Sequence, residues 1–212
     1  MNLNPRRKEV QLMGHEPITT HLKEIRTLLS LLRNEVALFQ ERYDQTLAAI
    51  SRLERRSDRD DLTGLLRRNA FFERWKEVLN ACEKMEENCG LLFVDVDHFK
   101  SINDTHGHAV GDEVLKGLGV LLKQFESPDV FSGRYGGEEF LVAVKGDEQK
   151  IRATAEWIRK RVENSLTGVK HTVSVGVANA RDEKYDAQRL LKKADQALYC
   201  AKKRGRNQIK VA

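Results

Sequence analysis

From Leu22 the apolar positions run Leu22, Ile25, Leu29, Leu32, Val36, Phe39, Tyr43, then Ile50 and Leu53, in steps of three and four with Thr46 as the one gap. This is a heptad seam, and no Gly or Pro interrupts residues 18 to 63. A repeat held over about four heptads with polar residues between predicts a long helix that pairs with another helix. Leu28, Leu31, Leu38 and Leu47 broaden the face, so a compact helical bundle in a dimer stands beside a parallel two-stranded coiled coil. The simpler alternative is a helix packed on its own domain. Against it, a helix of about 35 residues reaches about 50 Å, longer than a domain of this size is wide. The first ~16 residues precede the periodicity and are expected to lack order.

After the charged junction Ser57 to Asp61, helical and strand patterns alternate. Phe71, Phe72, Trp75, Val78, Leu79 and Cys82 recur at helix spacing and lead into the short apolar run Leu91, Leu92, Phe93, Val94. Val114, Leu118, Leu121 and Phe125 mark a second helix; Phe140, Val142 and Val144 then alternate as a strand after Gly136-Gly137. Ile151, Ala155, Ile158 and Val162 mark a third helix, and Val173, Val175 and Val177 another strand. Leu190, Leu191, Ala194, Leu198 and Ala201 close the chain with a helix. The pattern predicts an N-terminal helical segment over 1–57 and, over 58–212, an α/β (α+β) domain with a central mixed sheet flanked by helices.

Composition narrows this without redirecting it. Hydrophobic residues at 40% and charged residues at 33% fit a folded chain. The net charge of +5 would suit an anionic partner. The basic residues are interleaved with Asp and Glu throughout, so no nucleic-acid partner is expected. Cys82, Cys89 and Cys200 form no CxxC pair and read as reduced thiols. The apolar stretch Leu28 to Leu32 is cut off by Arg33 and Glu35, far short of the roughly 20 residues of a membrane helix. We therefore expect no membrane span and a cytoplasmic location.

Two acidic clusters fall where strands should end. Asp95 and Asp97 flank Val96 directly after an apolar run, and strand alternation sends both to one face. Charges there would be costly without a balancing cation or solvent, and a metal is a natural partner. The second cluster is Gly136-Gly137-Glu138-Glu139, whose glycines suit a tight hairpin turn and let a phosphate approach the backbone, with Glu138 opening the return strand. Oxygen ligands without a Cys or His set favour Mg²⁺ or Mn²⁺, commonly bound through one or two carboxylates and substrate phosphates. His106 and His108 lack a third nitrogen or thiolate ligand nearby, so catalytic zinc is not expected.

Arg134-Tyr135-Gly136-Gly137-Glu138-Glu139-Phe140 resembles the GG(D/E)EF signature of diguanylate cyclases. Asp60-Asp61-Leu62-Thr63-Gly64-Leu65 resembles the family's opening DxLTGL turn, and Phe93 to Lys100 its metal-strand segment. Asn103-Asp104 and Gly107-His108 through Gly111-Asp112 match the guanine-binding stretch. Thr172 to Ala178 resembles the late strand, and Ala194-Asp195, Ala201-Lys202 and Gly205-Arg206-Asn207 the closing helix. The match runs in order along most of the second region.

The resemblance implies a GGDEF-type sheet related to the nucleotide-cyclase and polymerase-palm fold. It also implies an enzyme of bacterial second-messenger signalling that condenses two GTP into cyclic di-GMP and two pyrophosphates. By position, Asp95, Glu138 and the Val96 carbonyl would hold two Mg²⁺ or Mn²⁺ ions per GTP site. Glu138 could also accept the attacking hydroxyl's proton, with Glu139 supporting the site. His98, Phe99 and Lys100, with Lys202 and Arg206, would hold the phosphates; Arg134, Gly136 and Gly137 would line the substrate, and Lys202 would act in catalysis. Asn103 and Asp112 would bind the guanine edge, since a carboxylate matches the N1–H and amino donors that adenine lacks.

Each such domain holds one GTP, so the reaction implies a homodimer, with the heptad helix as its means. The family's product-inhibition RxxD lies five residues before the signature. Here Glu126-Ser127-Pro128-Asp129 stands one residue farther away, with Glu in place of Arg, so feedback through that site is expected to be absent. The alternatives are a catalytically silent GGDEF module that binds GTP or cyclic di-GMP and signals through a partner, and a different purine-nucleotide cyclase or palm enzyme.

Overall fold

The computed structural model describes residues 16–165 and 168–212, with side chains described over 20–47, 58–165 and 168–212. Two compact units divide at Glu54/Arg55. The first holds the helix α1, Glu16–Ser57, up to Glu54. Pro17 lies in its first turn, where its missing N–H breaks no helical bond. Every described residue of the seam, from Leu22 (55% exposed) to Phe39 (70%) and Tyr43, is open to solvent. The expected disorder of the first residues lies outside the described chain. No helix among the described residues is long and apolar enough to cross a membrane.

The second unit runs β1 (Leu66–Arg67), α2 (Arg68–Lys84), β2 (Cys89–Val96), α3 (Phe99–His106), α4 (His108–Gln124), β3 (Val130–Arg134), β4 (Glu139–Lys145), α5 (Glu148–Glu163), β5 (Val173–Asn179), α6 (Ala187–Lys203) and β6 (Ile209–Val211). The six strands lie in the order β1-β3-β4-β2-β5-β6, antiparallel except for the short parallel edges β1–β3 and β5–β6. Central β2 reads as an unbroken buried run because helices cover both faces of the sheet.

Alternation sorts the side chains. Leu92, Val94, Val96, Phe140, Val142, Val173, Val175 and Val177 face α4 and α5. Leu91, Phe93, Leu141, Ala143 and Ala178 face α2 and α6, around fully buried Phe71 and Trp75. Asp147 and Asp186 cap α5 and α6 by accepting backbone N–H bonds in the first turn.

Two glycines fix how helices meet near the strand ends. Gly107, at φ 83°, ends α3 and lets α4 start at once, so His106 and His108 sit on two helix ends rather than in a loop. A Cβ at Gly176 would collide with the Ala194 carbonyl and the Leu198 amide. Backbone-close packing of α6 on β5 therefore requires glycine, and it carries the end of α6 to the strand ends beside Asp95.

Candidate active site

The register of the sheet builds the crevice. Asp95 pairs with Glu139 on β4 and with Ser174 on β5, so Asp95 and Glu139 stand side by side on the face covered by α2 and α6. The return strand begins at Glu139; Glu138 sits one residue earlier, on the turn, where its carbonyl accepts the Val96 N–H at 3.3 Å. That bond places Glu138 against the β2 end. Neither turn glycine has positive φ, so their role is space. A Cβ on Gly136 would come within 2.8 Å of Glu139 Oε2, whereas Gly137 faces an open surface.

Asp95 is 4% exposed and meets the Lys202 ammonium at 2.7 Å from α6. Burial pushes its carboxyl up to about 6, against the pull of Lys202 and with the repulsion of Glu138 and Glu139. Glu139 is raised as well, first by burial, and there too Lys202 opposes the shift. Carboxyls so arranged favour an added cation. Among the described residues no three His, Cys, Asp or Glu side chains form a ready-made metal cluster. The available donors are hard oxygens, the Asp95 and Glu138 carboxylates and the Val96 carbonyl, which fit Mg²⁺ or Mn²⁺ when substrate phosphates complete the shell.

Asp97 behaves otherwise. It is equally buried, but Oδ1 accepts the Ser174 hydroxyl (2.6 Å), and Oδ2 accepts the Thr172 hydroxyl (2.7 Å) and the Asn207 N–H (3.0 Å). Strand alternation treats the two aspartates alike, but hydrogen bonds from two other segments satisfy Asp97.

Arg134 was expected on the substrate. Its guanidinium instead donates to the Gly136 and Gly137 carbonyls (2.8–3.2 Å) and pairs with Asp60 at 3.1 Å. Asp60 also accepts the Thr63 N–H and hydroxyl. Burial works to raise its carboxyl, but these bonds from Thr63 and Arg134 hold it below the ordinary value. The opening turn thus braces the signature turn through one arginine.

The remaining candidates fall into two groups. His98 adopts a left-handed conformation (φ 58°) just before α3, so the Phe99 and Lys100 amides open the N-terminus of that helix. Lys100 is exposed, and neither its ammonium nor the Arg206 guanidinium has an ion-pair or hydrogen-bond partner among the described residues. Asn103 on α3 and Asp112 on α4 lie on the packed helix pair, and a Cβ at Gly111 would collide with Asn103 Oδ1. That oxygen is buried without a hydrogen-bond partner, while Asp112 is exposed. An unmet buried acceptor is expected where a ligand supplies the donor.

Two features escaped the sequence reading. One is the role of Asp97. The other is a polar network around Asn207, Arg159 and Glu163, whose members lie 44 or more positions apart outside α5 and leave no local signal. Of the three thiols, Cys82 and Cys89 are buried and Cys200 is exposed.

The diguanylate cyclase GGDEF domain matches residues 57–208. The chain is similar to the probable diguanylate cyclase DgcT of Escherichia coli (strain K12), 38% identical over 162 residues, which are 72% of this chain and 35% of that protein. It is similar to the probable diguanylate cyclase DgcC of the same organism, 38% identical over 170 residues, 76% of this chain and 45% of that one. It thus spans less than half the length of these curated relatives. The crystal structure of the coiled coil and GGDEF domain of DgcB from Caulobacter crescentus, in complex with c-di-GMP, matches with a TM-score of 0.75 at 28% identity, over 85% of this chain and 99% of that one. The signature turn, the carboxylate register behind it and the sheet that carries both therefore have one source: this chain belongs to the GGDEF diguanylate cyclase family.

Proposed function

We propose that this chain is a diguanylate cyclase that condenses two GTP into cyclic di-GMP with release of two pyrophosphates, as a homodimer joined through α1. One observation carries the reading. A buried carboxyl raised to about 6 stands with Glu139 and Lys202, while unpartnered Lys100 opens the helix α3 and unpartnered Arg206 lies in the loop after α6. Such a set accepts a cation and a polyanion together.

Asn103 and Asp112 take the guanine edge, the carboxylate accepting from N1–H and the amino group. The amides of His98 and Phe99, with Lys100 and Arg206, take the β- and γ-phosphates, and the open side of Gly137 leaves room for close approach. Glu138 accepts the proton of a ribose 3′-hydroxyl, directly or through water. The 3′-oxygen then bonds to the α-phosphorus of the second GTP as the bond from that phosphorus to pyrophosphate breaks. Glu139 supports Glu138 and Asp95, and Lys202 balances charge on the departing pyrophosphate. Divalent ions held by Asp95, Glu138 and the Val96 carbonyl would stabilise the attacking and leaving oxygens together.

One domain holds one GTP, so the second comes from a partner copy, and the exposed seam of α1 supports that pairing. Replacing Leu29, Val36 and Phe39 with charged residues should give monomers with little activity; full activity from a monodisperse monomer would refute the dimer. Feedback through the family's RxxD position is absent in this reading. Glu126 accepts the Ser132 N–H there, and Asp129 pairs with Lys150 at 2.8 Å. Initial rates should be flat in a product titration.

The deciding experiment is to incubate the protein with GTP or ATP and Mg²⁺ and identify products by mass. Cyclic di-GMP should form from GTP alone and be lost in Glu138→Gln. Binding of GTP without product would point to a silent module, and an adenine product to a different cyclase.

A further inference from the structure

After α6 the backbone passes through three successive left-handed residues, Gly205 (φ 110°), Arg206 (φ 62°) and Asn207 (φ 44°). Residues with side chains keep that conformation only where their surroundings hold it. Arg206 donates its N–H to the Ala201 carbonyl at 3.1 Å, and Asn207 is held through its backbone, where its carbonyl accepts Arg159 Nη1 at 3.5 Å, and through its side chain. Its N–H goes to Asp97 Oδ2 (3.0 Å) and its Nδ2 to Glu163 Oε1 (2.7 Å), and its Oδ1 accepts Arg159 Nη1 (2.8 Å).

Arg159 is itself fixed. Its Nε and Nη2 fork onto the Glu156 carboxylate (3.0 and 2.8 Å), and Nη1 also reaches Glu163 Oε2 at 2.9 Å. Glu163 therefore holds Arg159 with one oxygen and Asn207 with the other, closing a ring of three side chains. The Arg159 side chain is 12% exposed, so water competes little for these bonds.

The ring lies outside the carboxylate crevice yet bears on both sides of the phosphate site. Asn207 directly follows Arg206. Through its N–H it also holds Asp97, the residue before the left-handed turn at His98 that opens α3. The two cationic segments, 110 positions apart, meet at this amide–carboxylate bond.

We propose that Arg159, with Glu163, is a positioning residue for the triphosphate. By clamping Asn207 it sets the place of Arg206 and, through Asp97, of the His98–Lys100 turn. The inference rests on the nucleotide reading above. Arg159 touches no substrate in this account; its fork geometry, which lysine lacks, is what the clamp uses.

A purely structural staple would lower stability and leave ligand selectivity alone, so the test compares ligands differing only in phosphate number. The full chain, with Mg²⁺, is titrated calorimetrically with a nonhydrolysable GTP analogue and with GMP. The proteins are wild type, Arg159→Met, Asn207→Gly and the double variant. Wild type should prefer the triphosphate. Each single variant should lose about tenfold in triphosphate affinity, roughly one charge-assisted contact, with GMP binding unchanged. The double variant should lose no more than either. An unchanged triphosphate-to-GMP ratio in both variants overturns the proposal, even if their melting temperatures fall. Should Arg159→Met not fold, Asn207→Gly decides, because glycine keeps the left-handed backbone accessible and removes only the side chain. A wild type without triphosphate preference would sink the functional reading and this inference together, whereas preference retained in every variant sinks this inference alone.

Discussion

Asp95 near the end of β2 and Asp97 just past it stand two residues apart and are equally buried, yet they lie in two different surroundings. Asp97 sits in a nest of two hydroxyls and a backbone amide, from Thr172 just before β5, Ser174 on it and the loop after α6. Asp95 sits in a crevice with two other carboxyls and one lysine. A carboxylate fully served by neutral donors is stable where it is, and it ties segments together. A carboxylate crowded by its own kind is held at a cost and favours an added positive charge. Burial is the same in both regions, so the partners divide structure from chemistry.

The largest effect should come from removing the negative charge in the crevice. Asp95→Asn is expected to lower cyclic di-GMP formation on the order of 10³-fold while the fold is kept. Product assays alongside circular dichroism would check it, and a variant within about tenfold of wild type would erase the distinction between the two aspartates. Next is the nest. Asp97→Ala leaves the Thr172 and Ser174 hydroxyls and the Asn207 N–H without their acceptor, so unfolding free energy should fall by about 2–4 kcal/mol. Denaturant titration measures this, and a loss below about 0.5 kcal/mol would mean that water replaces the carboxylate.

The smallest effect has the opposite sign. Asp95 rises from an ordinary 3.8 to about 6 on folding, so between those values the folded protein binds more protons than the unfolded chain. Stability of the metal-free protein should therefore fall as pH rises through that window, with the contribution of the protonated carboxyl lost above about pH 6. Asp95→Asn removes the penalty and should be more stable than wild type by about 1–3 kcal/mol above pH 6, with little difference near pH 4. Melting curves across that range in a chelator test it; equal curves at both ends would show that Lys202 already compensates Asp95.

The comparison also marks what a sequence can disclose. β2, β4, β5 and the helices α2, α4, α5 and α6 were legible because each buries a face at its own period. The edges β1 and β6 were not, since two or three half-buried residues carry no period. Asp95, Glu138 and Asn103 were singled out through the family resemblance, not through any period of the chain. The separate duty of Asp97 was not, because local alternation treats it like Asp95 and its partners lie 75 to 110 positions away. Arg134 reads as a substrate residue beside the signature, but the paired turn 74 positions earlier claims its guanidinium. Long-range hydrogen bonds leave no periodic trace.

The central claim is that the crevice at Asp95 receives a cation and the triphosphate of GTP. The most direct measurement is a crystal structure with Mg²⁺ and a nonhydrolysable GTP analogue. We expect metal density touching Asp95 and Glu138, the guanine edge on Asn103 and Asp112, and the phosphates against Lys100 and Arg206. A crevice without metal, with the nucleotide bound elsewhere or not at all, would contradict the account.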